Sequence, residues 1–311
     1  MPFSPSHFGD RLTQAIKAKR SPLVVGIDPR PNQLPAALQA DSNDLAATAK
    51  SFAAFGKAII DTVADLVPAV KPQAAFFERL GPQGMVALSE VCDHAAAAGL
   101  LVIMDAKRND IGATAEAYAA AYLGAKPESA WGCDALTINP YMGFDTLEPF
   151  YKQGQATGAG TFVLCKTSNP GSDALQSRTT DGGTDSITDL VADEIQRLCE
   201  TSLGESGYGN VGAVVGATYP EQLVHLRKKM KNSILLVPGF GAQGGSAADV
   251  AAAFDEDGTG AVINSSRGVI FAYEKEKYQS AAAKSWQDAV RQSALDTVEV
   301  LKASTNAGKL A

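Results

Sequence analysis

The stretch LLVIMDAKRND, residues 100–110, shows most clearly the pattern that predicts the fold. It begins as a continuous apolar run and ends in a charged segment that contains Asp105, Lys107, Arg108 and Asp110. A strand that is apolar on both faces is typical of a parallel sheet covered by helices. Polar residues at the carboxyl end of such a strand lie at the edge where parallel sheets bind ligands.

The same pattern of a short apolar run recurs along the whole chain, with helical spacing between the runs. An open doubly wound sheet and a closed barrel both satisfy this alternation, but eight strand–helix units in 311 residues match the (β/α)8 count. The first strand is not followed by G-x-G-x-x-G, so a dinucleotide-binding sheet has no support. We therefore predict a TIM barrel of eight parallel strands, formed as one domain by residues 1–311. The predicted strands are 23–28, 69–76, 100–107, 135–139, 161–168, 211–218, 234–240 and 260–267.

Most of the predicted strands end in a residue that can bind or react, and in a TIM barrel the carboxyl ends of the strands form the active-site face. The polar, turn-rich segment 169–185 follows strand five. It either folds over this face or extends into solvent as a solvated excursion, which is the more common behaviour of such loops. We predict a last helix over 280–300 and a frayed tail over 304–311. The strand-end residues are Asp28, Lys71, Asp105 with Lys107, Asn139, Lys166 with Ser168, Thr218 and Arg267.

Composition excludes several classes of function. The chain has 27 basic and 34 acidic residues, a net charge of −7, and its basic residues are scattered, which argues against a nucleic-acid or anionic-membrane surface. Three histidines offer little to a three-histidine zinc site. The four cysteines show no paired spacing, which indicates a reduced, cytoplasmic protein. No apolar run approaches the roughly 20 residues that span a bilayer.

The charged residues after strand three suggest acid–base chemistry. Asp105 and Lys107 alternate along a strand and so point the same way, with Cα atoms roughly 6.5 to 7 Å apart; the alternative is an ordinary ion pair. Lys71 precedes Pro72, which favours extended backbone at a strand end. Mixed charges keep lysines protonated and destabilise any further carboxylate among them. Such a site suits a reaction that expels an anion and then needs a proton.

Asp110 has three possible places. It can join the charged pair, reach toward a neighbouring subunit, or cap the helix that starts near Gly112, a common position for aspartate.

A phosphate site is predicted at the end of the barrel sequence. The Gly-rich segment 238–245 follows strand seven, and Arg267 follows strand eight. Loops after these two strands are the usual phosphate site of TIM barrels. Glycines alone would be compatible with simple turns, but arginine adds a planar fork of donors suited to phosphate oxygens.

Together these motifs resemble the orotidine 5′-phosphate decarboxylase family. Asp105-x-Lys107-x-x-Asp110, continuing into Ile111-Gly112-x-Thr114, is similar to that family's signature. The length of the chain is similar to that of the longer bacterial branch. Further matching motifs, in chain order, are Gly26-x-Asp28, Val70-Lys71-Pro72, Pro238-Gly239-x-Gly241-Ala242-Gln243-Gly244 and Ser265-x-Arg267-Gly268.

The resemblance implies a homodimer, free of cofactor and metal, that decarboxylates orotidine 5′-phosphate (OMP) to UMP and CO2 in pyrimidine biosynthesis. By this resemblance Lys107 protonates a carbanion at C6, Asp105 lies beside the departing carboxylate, and Lys71 completes the charged network. Asp110 and Thr114 reach the ribose of the partner's site. The remaining implied substrate contacts are Asp28 with the ribose, Ser168 and Gln243 with the pyrimidine, and Gly245, Gln243 and Arg267 with the phosphate. Glu78 and Asn139 receive no role and are interpreted as a loop carboxylate and a strand-end hydrogen bonder.

Two other functions remain open from the sequence. A lyase of the same superfamily that acts on a keto-hexulose phosphate would share the barrel and the D-x-K-x-x-D pattern, but would need a divalent metal. A non-catalytic phosphate-binding barrel would not need a proton donor beside a carboxylate, so the two lysines and three motif aspartates speak against it.

Overall fold

Eight parallel strands close into a barrel in the computed structural model, each pairing with its neighbours in chain order and β8 closing onto β1. The predicted TIM barrel is confirmed. The structure describes residues 7–41, 43–125, 127, 129–180, 183–217, 220–240 and 246–310. The strands are β1 Leu23–Ile27, β2 Ala69–Pro72, β3 Leu101–Arg108, β4 Ala135–Ile138, β5 Gly160–Lys166, β6 Val211–Val215, β7 Leu235–Val237 and β8 Ala261–Ser265.

Helices alternate with the strands, and neighbouring helices pack on each other around the barrel. Most strand residues are buried on both faces, as the continuous apolar runs predicted. Within the described ranges no helix is both long and apolar enough to cross a membrane. The α-helices are α1 Phe8–Lys19, α2 Leu45–Val63, α3 Ala74–Glu78, α4 Gly81–Ala97, α5 Gly112–Leu123, α6 Glu148–Thr157, α7 Asp173–Gln176, α8 Ile187–Glu200, α9 Pro220–Lys229, α10 Ala247–Val250, α11 Arg267–Ile270, α12 Gln279–Ala282 and α13 Trp286–Ser304.

Seven of the eight strands end earlier than predicted, and β2 shows why. It stops at Pro72, which has no N–H to donate to a strand ladder. The apolar residues that follow form the short helix α3, whose Phe77 packs edge-on against Phe52 with ring centroids 5.9 Å apart. The prediction of a strand to residue 76 is therefore wrong, and Glu78 is the last residue of a helix rather than a loop carboxylate.

The predicted frayed tail over 304–311 is also wrong for its described part. Residues Asn306–Lys309 form a turn of 3₁₀ helix, and Ala307 and Leu310 are buried. The Leu310 carbonyl accepts a hydrogen bond from Arg20 Nε at 3.2 Å. Small polar residues made this segment look mobile, but its two apolar side chains dock it onto the barrel.

Candidate active site

A cavity of about 840 Å³ opens at the carboxyl ends of the strands, and its lining divides into two walls. What we call the charged wall consists of Lys71, Asp105 and Lys107, at the ends of β2 and β3. What we call the apolar wall is built from the end of β5, from α7 and from the first turn of α8. Its residues are Leu164, Leu175, Ile187, Leu190 and Val191.

In the charged wall, one carboxylate lies between two ammonium groups. Lys71 Nζ lies 2.5 Å from Asp105 Oδ2, and Lys107 Nζ lies 2.5 Å from Asp105 Oδ1. Lys71 and Asp105 are 5% and 7% exposed, whereas Lys107 is open to the cavity. The structure thus brings together the three residues that the sequence placed at the ends of strands two and three.

Charge is retained in this wall despite burial. Burial favours the neutral form of Asp105, but the ammonium groups of Lys71 and Lys107 outweigh it and hold the pKa of Asp105 well below its usual range. Burial likewise disfavours the ammonium of Lys71, but the carboxylates of Asp105 and Asp28 raise the pKa of Lys71 above its ordinary value. Asp105 and Lys71 therefore remain ionised at neutral pH.

Lys107 lies on an irregular part of β3. Its φ of 49° is in the left-handed region, which residues other than glycine rarely adopt. Met104 pairs with Leu136 and Arg108 pairs with Ile138, so four steps along β3 match two along β4. Asp105 and Lys107 meet as predicted, but a bulge brings their side chains together instead of the regular strand alternation on which the prediction relied.

Sequence reasoning missed the support beneath this bulge. Arg108 forms an ion pair with Glu78, donates to the Tyr122 hydroxyl at 3.1 Å, and donates to the Ala106 carbonyl at 3.0 Å. The Thr137 hydroxyl of β4 also accepts hydrogen bonds from backbone N–H groups of the bulge. The sequence contains one weak sign of this support. Thr137 is a polar residue inside the apolar run ALTI, two positions before Asn139.

Asp28 follows β1, near the same end of the barrel. Its Oδ1 atom is buried and makes no hydrogen bond within the described residues. Burial raises the pKa of Asp28 above its ordinary value, although Lys71 and a hydrogen bond from Ser266 act in the opposite direction. Asp28 therefore holds an acceptor oxygen that the described protein does not satisfy.

Asp110 and Thr114 lie at the start of α5 and do not line this cavity. Asp110 Oδ1 accepts a hydrogen bond from the N–H of Ile111 at 2.8 Å. Ile111 is the N-cap of α5 and has no capping side chain, so the alternative prediction of Asp110 as the N-cap is wrong. Thr114 is exposed.

Ser168 lines the cavity beyond the end of β5, as does Asn139 beyond the end of β4. Asn139 Oδ1 accepts from the N–H of Tyr141 at 3.0 Å, as its interpretation as a strand-end hydrogen bonder predicted.

The segment after Ser168 is not the solvated excursion that base rates favoured. Its Asn169, Leu175 and Gln176 line the cavity. Gln176 accepts from the N–H of Thr167 at 3.0 Å, and Asp173 lies 2.6 Å from the buried Lys166 Nζ. These contacts, unforeseen from composition, hold the first half of the segment over the mouth.

The predicted phosphate site is described only in part. Arg267 is exposed at the start of α11 and lines a second cavity, of about 340 Å³, together with Phe240, Gly268 and Lys275. Gln243 and Gly245, like Thr218, lie outside the described residues.

Metal ligands and thiols are not grouped in the described part of the chain. It contains no set of three or more His, Cys, Asp or Glu side chains that could hold a metal ion. The four cysteines are buried and form no disulfide, and burial raises the pKa of Cys165 far above its ordinary value. Cys165 is thus the small buried residue that its apolar run predicted.

Sequence comparison identifies relatives over the whole barrel. Residues 21–299 match the model of the orotidine 5′-phosphate decarboxylase / HUMPS family. The orotidine 5′-phosphate decarboxylase of Rhodopirellula baltica is 56% identical over 300 residues, which cover 95% of this chain and 99% of the relative. That of Deinococcus radiodurans is 41% identical over 266 residues, 85% of this chain and 89% of the relative.

Solved structures agree in fold and in sequence. A crystal structure from Streptomyces avermitilis superposes with a TM-score of 0.80 at 35% identity, covering 97% of each chain. Leishmania donovani OMP decarboxylase superposes with a TM-score of 0.73 at 34% identity, covering 96% of this chain and 98% of its own. As its ordered motifs predicted, the chain belongs to the orotidine 5′-phosphate decarboxylase family.

Proposed function

We propose that this chain decarboxylates OMP to UMP and CO2, through a carbanion at C6 of the pyrimidine that Lys107 protonates. Family membership supports the overall reaction. The observation that carries the mechanism is the carboxylate of Asp105, buried and fixed between the ammonium groups of Lys71 and Lys107.

The charged wall contributes to both steps of the reaction, the loss of CO2 and the protonation of C6. The substrate carboxylate next to Asp105 is repelled, and this repulsion ends when the bond between C6 and the carboxylate breaks and neutral CO2 leaves. The electron pair stays on C6, where the nearby ammonium of Lys107 stabilises it. Lys107 Nζ then gives its proton to C6, and water reprotonates the amine. Lys71 keeps Asp105 ionised throughout.

The rest of the substrate is held by residues that leave C6 free. The unsatisfied Oδ1 of Asp28 accepts a hydrogen bond from a ribose hydroxyl. Ser168 at the cavity wall contacts the pyrimidine. By family resemblance, Gln243 and Gly245 bind the phosphate together with Arg267, and Gln243 also reaches the base. No cofactor or metal takes part in this scheme.

The functional unit is a homodimer, with Asp110 and Thr114 contributed across the interface to the partner's site. Exposed apolar side chains near these residues support this assembly. Ile111 follows Asp110 directly and Tyr141, which is 76% exposed, follows the adjacent strand β4. Exposed apolar side chains that form a contiguous patch are typical of surfaces that bind another protein.

The same observations support proposals about the domain organisation, location and partners of the enzyme. Residues 1–311 form one domain, supported by a single large core that includes both α1 and α13. Its four cysteines form no disulfide, which supports a cytoplasmic location. Its scattered basic residues and net charge of −7 support a role without nucleic-acid or membrane partners.

The test is the loss of the ultraviolet absorbance of OMP, with and without EDTA. We expect conversion to UMP at the same rate in both. Activity on a keto-hexulose phosphate that EDTA abolishes, without turnover of OMP, would show the metal-dependent lyase instead. Binding of OMP without turnover would show a phosphate-binding barrel.

A further inference from the structure

One buried hydroxyl that the sequence did not assign to the site makes three hydrogen bonds to consecutive residues of β3, among them Asp105 and Lys107 of the charged wall. Thr137 is 1% exposed and lies on β4 among apolar neighbours. Its Oγ1 accepts hydrogen bonds from the backbone N–H groups of Ala106 at 3.1 Å and Lys107 at 3.0 Å. The hydroxyl proton goes to Asp105 Oδ1 at 3.1 Å.

These three bonds use the full capacity of the hydroxyl. A threonine side chain has one proton to donate and two lone pairs to accept with. Here both lone pairs take N–H groups of the bulge, so the proton has one place left to go, which is Asp105. The hydrogen bonds therefore fix the orientation of the hydroxyl as well as its partners.

Thr137 joins the two parts of the wall that must be in register for proton transfer. One part is the backbone of Lys107, which is held in the left-handed region. The other is Asp105 Oδ1, the same oxygen that lies 2.5 Å from Lys107 Nζ. Without the hydroxyl, two N–H groups of the bulge lose their acceptor, and the bulge is free to relax toward a conformation that lysine prefers.

We propose that Thr137 is a positioning residue for proton transfer by Lys107. It sets the backbone from which the lysine side chain extends and the carboxylate toward which its ammonium is drawn. Thr137 also lines the cavity. Its hydroxyl is engaged by Ala106, Lys107 and Asp105, so we place its effect in the alignment of Asp105 and Lys107. This inference rests on the proposed decarboxylation.

The experiment compares Thr137→Val, which keeps the shape and removes the hydroxyl, with Thr137→Ser, which keeps the hydroxyl. We expect Thr137→Val to lower kcat on OMP by about 10- to 100-fold, the scale of a misplacement of roughly 1 Å in a reacting group. Its KM should change less than about threefold, because the phosphate, ribose and base contacts are untouched. Thr137→Ser should keep kcat within about threefold of the wild type.

Two controls separate positioning from folding. Thr161→Val removes an equally buried hydroxyl from β5 away from the cavity, and should leave kcat unchanged. If Thr137→Val does not fold, the pair Thr137→Ala and Thr137→Ser carries the test, since these variants differ only in the hydroxyl. Alanine should then lower kcat by at least about tenfold relative to serine.

Several results would overturn the inference. One is a kcat for Thr137→Val within twofold of the wild type. Another is a serine variant as slow as the valine or alanine variant, and a third is a loss confined to KM. A wild-type protein inactive on OMP would instead remove the proposed function, so the two failures are distinguishable.

Discussion

The two walls of the cavity are built in different ways. The charged wall rests on strands, and its Lys71 and Asp105 are buried and fully paired. The apolar wall comes from helices α7 and α8 and the end of β5, and its Leu175 is 46% exposed. The reacting groups therefore lie on the wall whose side chains are held by strands and ion pairs. The apolar wall still has surface to bury, and a ligand can provide that burial.

The largest effect is expected at the exposed end of the charged wall. Lys107→Ala removes the proton donor and the nearest positive charge, so we expect kcat on OMP to fall by at least about 1,000-fold. The fold should persist, since Lys107 is exposed and its loss leaves Asp105 paired with Lys71. Steady-state assays and circular dichroism check this. Robust decarboxylation by a carefully purified, folded variant would remove Lys107 as donor.

A position outside both walls sharpens the comparison. Arg267→Ala deletes the proposed phosphate contact and should lower kcat/KM on the order of 100-fold, as loss of one partner of a charge-assisted pair does. Because phosphate binding also helps assemble the site, added phosphite should raise the turnover of a truncated nucleoside substrate by the wild-type enzyme, and Arg267→Ala should weaken this activation. Unchanged kinetics with OMP would contradict the phosphate assignment.

A comparison of two buried lysines tests whether the charged wall contributes more to stability than another buried ion pair. Lys71→Met leaves the buried Asp105 with one charged partner, Lys107, which should lower the free energy of unfolding by about 3 kcal/mol. Lys166→Met removes an equally buried lysine whose partner Asp173 is half exposed, so water can solvate that carboxylate, and the change should stay within about 1 kcal/mol. Urea unfolding at pH 7 measures both, and equal losses would contradict the distinction.

The pH dependence of the stability lost in Lys71→Met is a further check. Because the pKa of Asp105 is lower in the folded protein than in the unfolded chain, its ionised carboxylate stabilises the fold above the ordinary aspartate pKa of about 3.9. This stabilisation is lost as the pH falls toward the lower pKa of the folded protein. Because the pKa of Lys71 is higher in the folded protein, its ammonium stabilises the fold below the ordinary lysine pKa of about 10.4. This stabilisation is lost as the pH rises through the higher pKa of the folded protein. The deficit of Lys71→Met should therefore be constant from pH 5 to pH 9.

The smallest effect is expected in the apolar wall. Leu175→Ala removes a partly exposed side chain that gains burial when the cavity is filled, so KM for OMP should rise roughly threefold with kcat nearly unchanged. Leu203→Ala, at another exposed leucine outside the cavity, is the matched control. A fall in kcat with constant KM would mean that this wall takes part in the chemical step.

Much of the barrel and of the charged wall could be predicted from sequence, for a simple reason. Parallel strands end on one face, so polar residues that end apolar runs must converge there. This places Lys71, Asp105 and Lys107 together without knowledge of their side-chain conformations. The order of the motifs along the chain then identified the family.

The bulge could not be predicted. A left-handed residue is usually marked by glycine or asparagine, and here it is a lysine. The importance of Thr137 depends on that bulge, since a regular strand would have turned the N–H groups of Ala106 and Lys107 elsewhere. Apolar docking of the tail was missed because Ala307 and Leu310 stand among residues typical of turns. The homodimer stays a prediction, because its interface involves surfaces of two chains.

The docked tail has a practical consequence for handling the enzyme. Leu310 bonds to Arg20, just before β1, and Lys309 to the carbonyl of Glu256, before β8. All strands are parallel, so these contacts lie on the face of the barrel opposite the cavity mouth. A linker attached after Leu310 would therefore tether the protein to a bead or electrode with its cavity facing the solution, where substrate arrives unhindered.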